Sequence, residues 1–349
     1  MKKILAYILF LIFLCFFIPL VFTNRKVVNV SKESSNDGGI KESSDSTKVN
    51  IEYKNNQFAK VRLLHTETNK VEELNLDEYI YGVVAAEMPA SFEEEALKAQ
   101  AIVARTYTVY KIINDEGKHE GADICDDATC CQAWISKEER MKKWDDEKKE
   151  EYWNKIVSAV DSTKGKVITY EGKPINAFFH ANSGGKTETP GNVWGGENYP
   201  YLQTVATSGE DAYSQYLSEV TISKDEFIKK IKNEHSDFNI DFSKKDCIKI
   251  KEYTDGDRVK TIKVGNLELS GVEIRNIIGL KSANFEVEIE GENIVFKVIG
   301  YGHGVGMSQT GADSLAKEGK NYEEIIKHFY KNVEIENIWF SVYFFLICK

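Results

Sequence analysis

Glu87 is the carboxylate in this 349-residue chain whose surroundings most need explaining. It stands alone in Val83-Val-Ala-Ala-Glu-Met-Pro89, among small apolar residues at what reads as a helix end. Burial among apolar groups raises a carboxyl pKa, and a Glu kept protonated near neutral pH is equipped for general-acid work. The competing reading is a structural acid that caps a helix or pairs with Arg105. A second constellation runs His119-Glu-Gly-Ala-Asp-Ile-Cys125-Asp-Asp-Ala-Thr-Cys130-Cys131. One His and three Cys so close together are donors that borderline-soft Zn²⁺ prefers, with a disulfide or free loop thiols as the alternative. Two Gly-rich stretches complete the inventory: His180-Ala-Asn-Ser183-Gly184-Gly185, and Tyr301-Gly302-His303-Gly304-Val305-Gly306-Met307-Ser308-Gln309. Glycines at alternate positions let backbone approach a ligand or another segment closely. The spacing is not G-x-G-x-x-G and the net charge is −10, which together argue against a phosphate loop and against nucleic-acid binding.

These groups need elements to hold them. Pro89 disfavours helical geometry at Met88, so a helix opening at Asp77 should stop there and deliver Glu87. Ser91 and Glu94 fit an S-x-x-E capping box that would start a second helix, reaching about Ile113. In it Ala96, Leu97, Ala101, Ala104 and Thr108 form a small-residue face, while Lys98, Ile102, Arg105 and Val109 share another, so a Lys and an Arg point the same way two turns apart. Ile51–Leu64 and Val71–Leu76 read as strands, and Met141–Lys164 as one amphipathic helix. Gly165–Tyr170 and Pro174–His180 read as strands around a turn, the second running into the His180 loop. Cys247–Thr254 with Val259–Leu269, and Phe285–Ile289 with Ile294–Ile299, read as hairpins. Residues 208–284 are expected to form a second lobe or the wall of a cleft, and no chemistry is evident in them.

The length supports one large domain or two lobes. Ile4–Phe22 carries no charged residue and is long enough to span a bilayer; an uncleaved anchor over 1–23 is preferred to a signal peptide because no A-x-A-like site follows. Residues 24–50, rich in Ser, Lys, Asp and Glu, read as a flexible linker. The tail, 338–349, is an apolar run too short to span, with no assigned role.

Ala85-Ala-Glu-Met-Pro89 followed by Ala96-Leu-Lys-Ala-Gln-Ala101 and Ala104-Arg-Thr-Tyr107 resembles the stage II sporulation protein D (SpoIID/LytB) family of peptidoglycan lytic transglycosylases. His180 to Thr187, Val193-Trp-Gly195, Pro200-Tyr-Leu202 and Gly302 to Ala312 extend the resemblance over most of the chain, with departures at Ala181 and Thr310. The resemblance implies an α+β fold: a two-lobed catalytic ectodomain over 51–337 with a central groove, behind an N-terminal transmembrane helix. It implies Glu87 as the single acid and base that cleaves between N-acetylmuramic acid and N-acetylglucosamine and leaves a 1,6-anhydro end. It implies Zn²⁺ on His119, Cys125 and Cys131, with Cys130 the doubtful member and water an option as fourth ligand. Lys98 and Arg105 are expected along the glycan, binding the lactyl carboxylates of denuded strands. His180, Ser183, Tyr201, His303, Ser308 and Gln309 are expected to line the sugar groove. The implied setting is forespore engulfment: the mother-cell membrane, the catalytic domain outside the cytoplasm, peptidoglycan strands as substrate, an amidase and a multi-spanning membrane protein as partners, and a homodimer as an allowed assembly. A zinc-dependent hydrolase and a non-catalytic amidase-activating binder are the rival readings.

Overall fold

The structure is a computed structural model that describes residues 58–114, 117–196 and 198–338. The anchor and linker expected over 1–50, and the tail beyond Ile338, lie outside those residues. Among the described residues no helix is long and apolar enough to cross a membrane.

The chain is mixed α/β, with several small sheets. β1 (Lys60–His65) and β2 (Lys70–Asn75) form an antiparallel hairpin, and β3 (Ile124–Cys125) lies parallel to β1. β2 passes directly into α1 (Leu76–Glu87), which ends at Glu87 because Met88, ahead of Pro89, is extended at φ −126° and ψ 136°. α2 (Glu94–Ile113) follows a turn in which the Phe92 N–H donates to the Pro89 carbonyl. The expected Ser91 box does not form. Glu93 is the N-cap, without a side-chain bond, and its N–H donates to Asp313 Oδ1 at 2.6 Å, so a residue 220 positions away serves this helix start.

α2 is the spine of the first core. Thirteen of its twenty residues are buried, so it is covered well beyond the one expected face. Its alanines let α1, α4 (Lys149–Asp161), β4 (Lys166–Tyr170), α8 (Gln309–Lys317) and α9 (Tyr322–Phe329) pack around it. The expected single helix over Met141–Lys164 is divided: α3 (Lys137–Lys143) stops at Trp144, which turns extended and sets its ring edge-on to Tyr152 at 5.6 Å. β4 pairs with β5 (Lys173–Pro174) on one side and β14 (Glu334–Asn337) on the other. β6 (Phe179–His180) pairs in parallel with β13 (Met307–Ser308), which joins the two Gly-rich stretches. That join needs glycine at 306, where φ is +75° and a Cβ would lie 1.9 Å from the Phe178 carbonyl oxygen.

A separate hydrophobic cluster runs from Ile222 to Val298. It is built from two three-stranded antiparallel sheets, in the orders β10-β9-β8 and β11-β12-β7, where β7 is Leu217–Ser223, β8 Ile248–Tyr253, β9 Val259–Val264, β10 Leu267–Ser270, β11 Phe285–Glu290 and β12 Asn293–Ile299. Helices α6 (Lys224–Glu234) and α7 (Gly271–Ile278) pack with these sheets, each with a Ser N-cap that accepts from a Glu N–H three residues on. This cluster extends past the boundary at Asn284 read from the sequence, because β12 pairs along its length with β7. Residues 210–212, expected with it, instead form a 3-10 turn against α8.

Candidate functional site

A cavity of about 740 Å³ is lined by Glu87, Arg140, His180, Arg275, His303 and Gln309 among others. Residues of the first core supply one part of the lining, and Arg275 and Asn276 of α7 another. Among the described residues that line it, Glu87 is the one carboxyl group. Its Oε1 accepts the Ala133 N–H at 2.6 Å, and its Oε2 faces Gln309 Nε2 at 3.4 Å. Burial raises its pKa, and those two bonds offset only part of the rise. Its place on the last turn of α1, at the negative end of the helix dipole, acts in the same direction. The suggested pairing of Glu87 with Arg105 is not present.

His180 and His303 stand beside each other, ring centroids 5.6 Å apart. His180 Nδ1 lies 3.1 Å from the Val305 carbonyl, which fixes the tautomer with hydrogen on Nδ1; Nε2 is buried without a partner. Burial, and then the neighbouring Arg258 charge, lowers the His180 pKa to about 4, and burial next to His180 pushes His303 well down too. Both rings are therefore neutral at pH 7. Between about pH 6.5 and 4 the unfolded chain takes up a proton at position 180 that the fold refuses, so stability is complete above 6.5 and lost as pH falls towards 4. Urea midpoints measured from pH 7 to 4.5 should fall by the equivalent of a few kcal/mol, since each tenfold difference in proton affinity between the two states is worth about 1.4 kcal/mol. His180→Gln should flatten that acid limb. Trp194, at the end of the short helix α5 (Pro190–Trp194) and 51% exposed, and Tyr301, 43% exposed, offer aromatic faces to the same cavity; the Trp194 ring lies 5.0 Å from His303.

The other predicted residues fall elsewhere. Arg105 is fully buried. Its guanidinium donates to the carbonyls of Thr163, Lys166 and Val160 and meets Asp77 at 3.5 Å, so it serves carbonyls left open around the end of α4 and cannot reach a glycan. Lys98 is held by Glu94 and Glu95 and does not line the cavity. Tyr201 is buried, its hydroxyl accepting the Asn176 N–H. Ser183 and Ser308 are also buried, and both donate to Glu210.

Nothing in the local sequence marks Glu210. Its carboxylate accepts the hydroxyls of Ser183, Thr207, Ser308 and Thr310 and the N–H groups of Ser183 and Gly185. Burial alone would raise its pKa; the hydroxyl and amide donors outweigh that and bring it to about 2. Arg258, equally unmarked in the sequence, donates to the carbonyls of Ser183, Lys186 and Gly256. Its guanidinium occupies the space a Cβ at Gly304 would need, which accounts for the glycine there. Neither residue sits in a recognisable motif; each is defined by partners distant in sequence.

The ligating atoms of His119, Cys125, Cys130 and Cys131 all lie within 4.8 Å of one another. His119 Nε2 is 3.3 Å from Cys131 Sγ and 3.6 Å from Cys130 Sγ, and the two sulfurs are 3.7 Å apart. Tetrahedral coordination at zinc-like bond lengths gives edges of about 3.6 Å (S to N) and about 3.8 Å (S to S). The donors fit a metal ion, and Cys130, doubtful on sequence grounds, stands with the other three. None of the four described cysteines is in a disulfide. Cys131 lines the cavity, and two residues on Ala133 holds Glu87, so the cluster and the acid share one short segment.

Residues 64–170 match the SpoIID family model, described as stage II sporulation protein. Stage II sporulation protein D of Bacillus amyloliquefaciens is 37% identical over 79% of this chain and 78% of its own length, and that of Bacillus subtilis is 36% identical over the same shares. A Bacillus subtilis protein named amidase enhancer is 29% identical over 71% of this chain and 39% of its own length. Fold and site together define a mixed α/β protein with a single-carboxyl cavity beside a His/Cys metal-type cluster. The chain belongs to the stage II sporulation protein D family.

Proposed function

We propose that this protein is a peptidoglycan lytic transglycosylase of sporulation, with Glu87 as its acid and base. The observation that carries the reading is that, among the described residues, Glu87 is the one carboxyl lining the cavity, its pKa raised by burial. Most glycosidases need two carboxyl groups flanking the bond. A transglycosylase manages with one. Protonated Glu87 gives its proton to the glycosidic oxygen and the bond to muramic C1 breaks. The resulting carboxylate takes the proton of the muramic C6 hydroxyl as O6 bonds to C1. The product is a 1,6-anhydro end, no water is consumed, and Glu87 is again protonated. Ala133 and Gln309 hold the carboxyl through this exchange, and His180 and His303, being neutral, add no charge to the sugar site. Mass analysis of digested glycan tests the reading: anhydro ends support it, reducing ends would indicate hydrolysis, and uncut glycan would indicate a binder. The name of the amidase enhancer favours that last outcome as the second reading, in which the cavity holds glycan and an amidase does the cutting.

The setting proposed is the family's: an N-terminal anchor in the mother-cell membrane, the folded part outside the cytoplasm, and action on denuded strands with an amidase and a multi-spanning protein during engulfment. We also propose zinc for the His119, Cys125, Cys130 and Cys131 cluster. With all four as ligands no position is left for a reactive water, which makes the ion structural and weighs against the hydrolase alternative. Purified protein should carry about one zinc per chain by plasma mass spectrometry. Cys131→Ser should lose it and lower the melting temperature; retention of stoichiometric metal by that variant would count against Cys131 as a ligand.

A further inference from the structure

Five arginines lie among the described residues, and three are committed within the fold. Arg62 pairs with Asp123, while Arg105 and Arg258 are occupied by backbone carbonyls. Arg140 and Arg275 remain, and both line the cavity. Arg140 projects from α3 with its guanidinium 4.8 Å from the Trp144 ring centroid, and its Nε is buried without a hydrogen-bond partner. Arg275 projects from α7 and uses Nε on the Leu280 carbonyl at 3.4 Å. Among the described residues neither forms an ion pair with a carboxylate, although the chain carries ten more acidic than basic side chains. Burial lowers the pKa of both, and no carboxylate acts to raise either.

Both residues are partly buried, and withdrawing guanidinium charge from water even in part without a counter-ion carries a cost that a protein rich in carboxylates had every means to avoid. The two groups come from different parts of the fold, one from the first core's α3 and one from the second cluster's α7. The cavity between them holds one acid, itself biased towards its neutral form. Its lining is thus cationic inside an anionic protein, which draws in anions and favours them once bound. A planar guanidinium matches a carboxylate in two parallel N–H···O bonds.

We propose that Arg140 and Arg275 are specificity determinants that read free carboxylates carried by the glycan, so that the site takes an acidic strand in preference to a neutral chitin-like one. This rests on the glycan reading above. Two sources share the chemistry, the lactyl carboxyl of a muramic residue whose peptide has been removed and the carboxyls of an attached stem peptide.

The test is calorimetric binding to Glu87→Gln, which holds strands without cutting them. Four ligands of equal length are compared: peptide-free muramoyl glycan, its methyl ester, peptide-bearing glycan, and that glycan with its peptide carboxyls esterified. The acid form of at least one strand should bind about tenfold or more tighter than its ester, the worth of one or two charge-assisted hydrogen bonds. Whichever acid–ester pair shows the gap identifies the source. Adding Arg140→Gln and Arg275→Gln should lower acid-strand affinity far more than ester affinity and so collapse the gap, and Lys at both positions should restore part of it. Equal binding of acids and esters overturns the proposal without any arginine variant being made, and so does an equal loss for both forms on removing the arginines. A wild-type protein that prefers the acid strand yet cuts nothing would remove the transglycosylase reading and leave this assignment standing.

Discussion

Glu87→Gln should abolish measurable release of anhydro ends, a loss of about 10²–10⁴-fold, while the protein stays folded and keeps its affinity for glycan. The amide oxygen keeps an acceptor for the Ala133 N–H, and its NH2, now a donor facing the Gln309 NH2, is accommodated once the Gln309 amide turns its oxygen towards it, so the transferable proton is the main loss. Stability should move the other way. The folded pKa of Glu87 lies above its ordinary value of 4.5, so the unfolded chain ionises first as pH rises. The fold then carries an increasing penalty, complete once pH passes the folded pKa. Gln removes that penalty, so Glu87→Gln should be at least as stable as wild type at pH 7 to 8 and no different below pH 4.5. Wild-type cleavage should itself fall as pH climbs through the same raised pKa, because the general acid is spent. A Gln variant that cuts at wild-type rate, or one destabilised at pH 8, would show that the carboxyl is a structural group.

Glu210→Ala is expected to be the most destabilising single change near the site, by about 3–5 kcal/mol, the range for removing one partner from a buried, charge-assisted network. Six donors converge on this carboxylate, from the His180 loop, from Thr207 and from the Ser308 to Thr310 segment. Alanine would leave them facing an empty space. The strands joining the two Gly-rich stretches, β6 and β13, are only two residues each, so they do not hold the register alone. Gln309 follows Ser308 directly, and losing Glu210 should loosen the contact from Gln309 to Glu87 and lower cleavage as well. Wild-type stability carries a matching pH signature. The Glu210 pKa falls from 4.5 to about 2 on folding, so its contribution is complete above 4.5 and lost as pH drops towards 2. Urea unfolding of the two proteins between pH 7 and 3 checks this: the gap between them should shrink on acidification. A constant gap would mean that packing, not the ionised carboxylate, is what alanine removes.

Local patterning carried much of the secondary structure. Pro89 ends α1 where its steric effect on Met88 requires, the two-residue Gly291-Glu292 turn joins β11 to β12, and the acid of the Ala-Ala-Glu-Met-Pro stretch does meet a cavity. The β8–β9 hairpin also forms, but through a longer loop whose left-handed residue is Asp257 (φ +62°) and not Gly256. The His/Cys donors also converge, because most of them sit within one short loop and need little help from the rest of the fold. These features depend on neighbours a few residues away, and sequence records such neighbours directly.

What tertiary structure alone decided is the partner of most charged groups around the site. Lys98 and Arg105 share a helix face in the sequence, yet one lies beside two local glutamates and the other is sealed against the end of α4. Asp313 replaces a local cap for α2, and Glu210 gathers donors up to a hundred positions away. Among the described residues, Arg140 and Arg275, which no local motif marks, are the Lys or Arg side chains that line the cavity. A charge is defined by what lies within a few ångströms of it, and for all of these except Lys98, whose glutamates lie one turn away on its own helix, that neighbourhood is assembled from chain segments far apart in sequence.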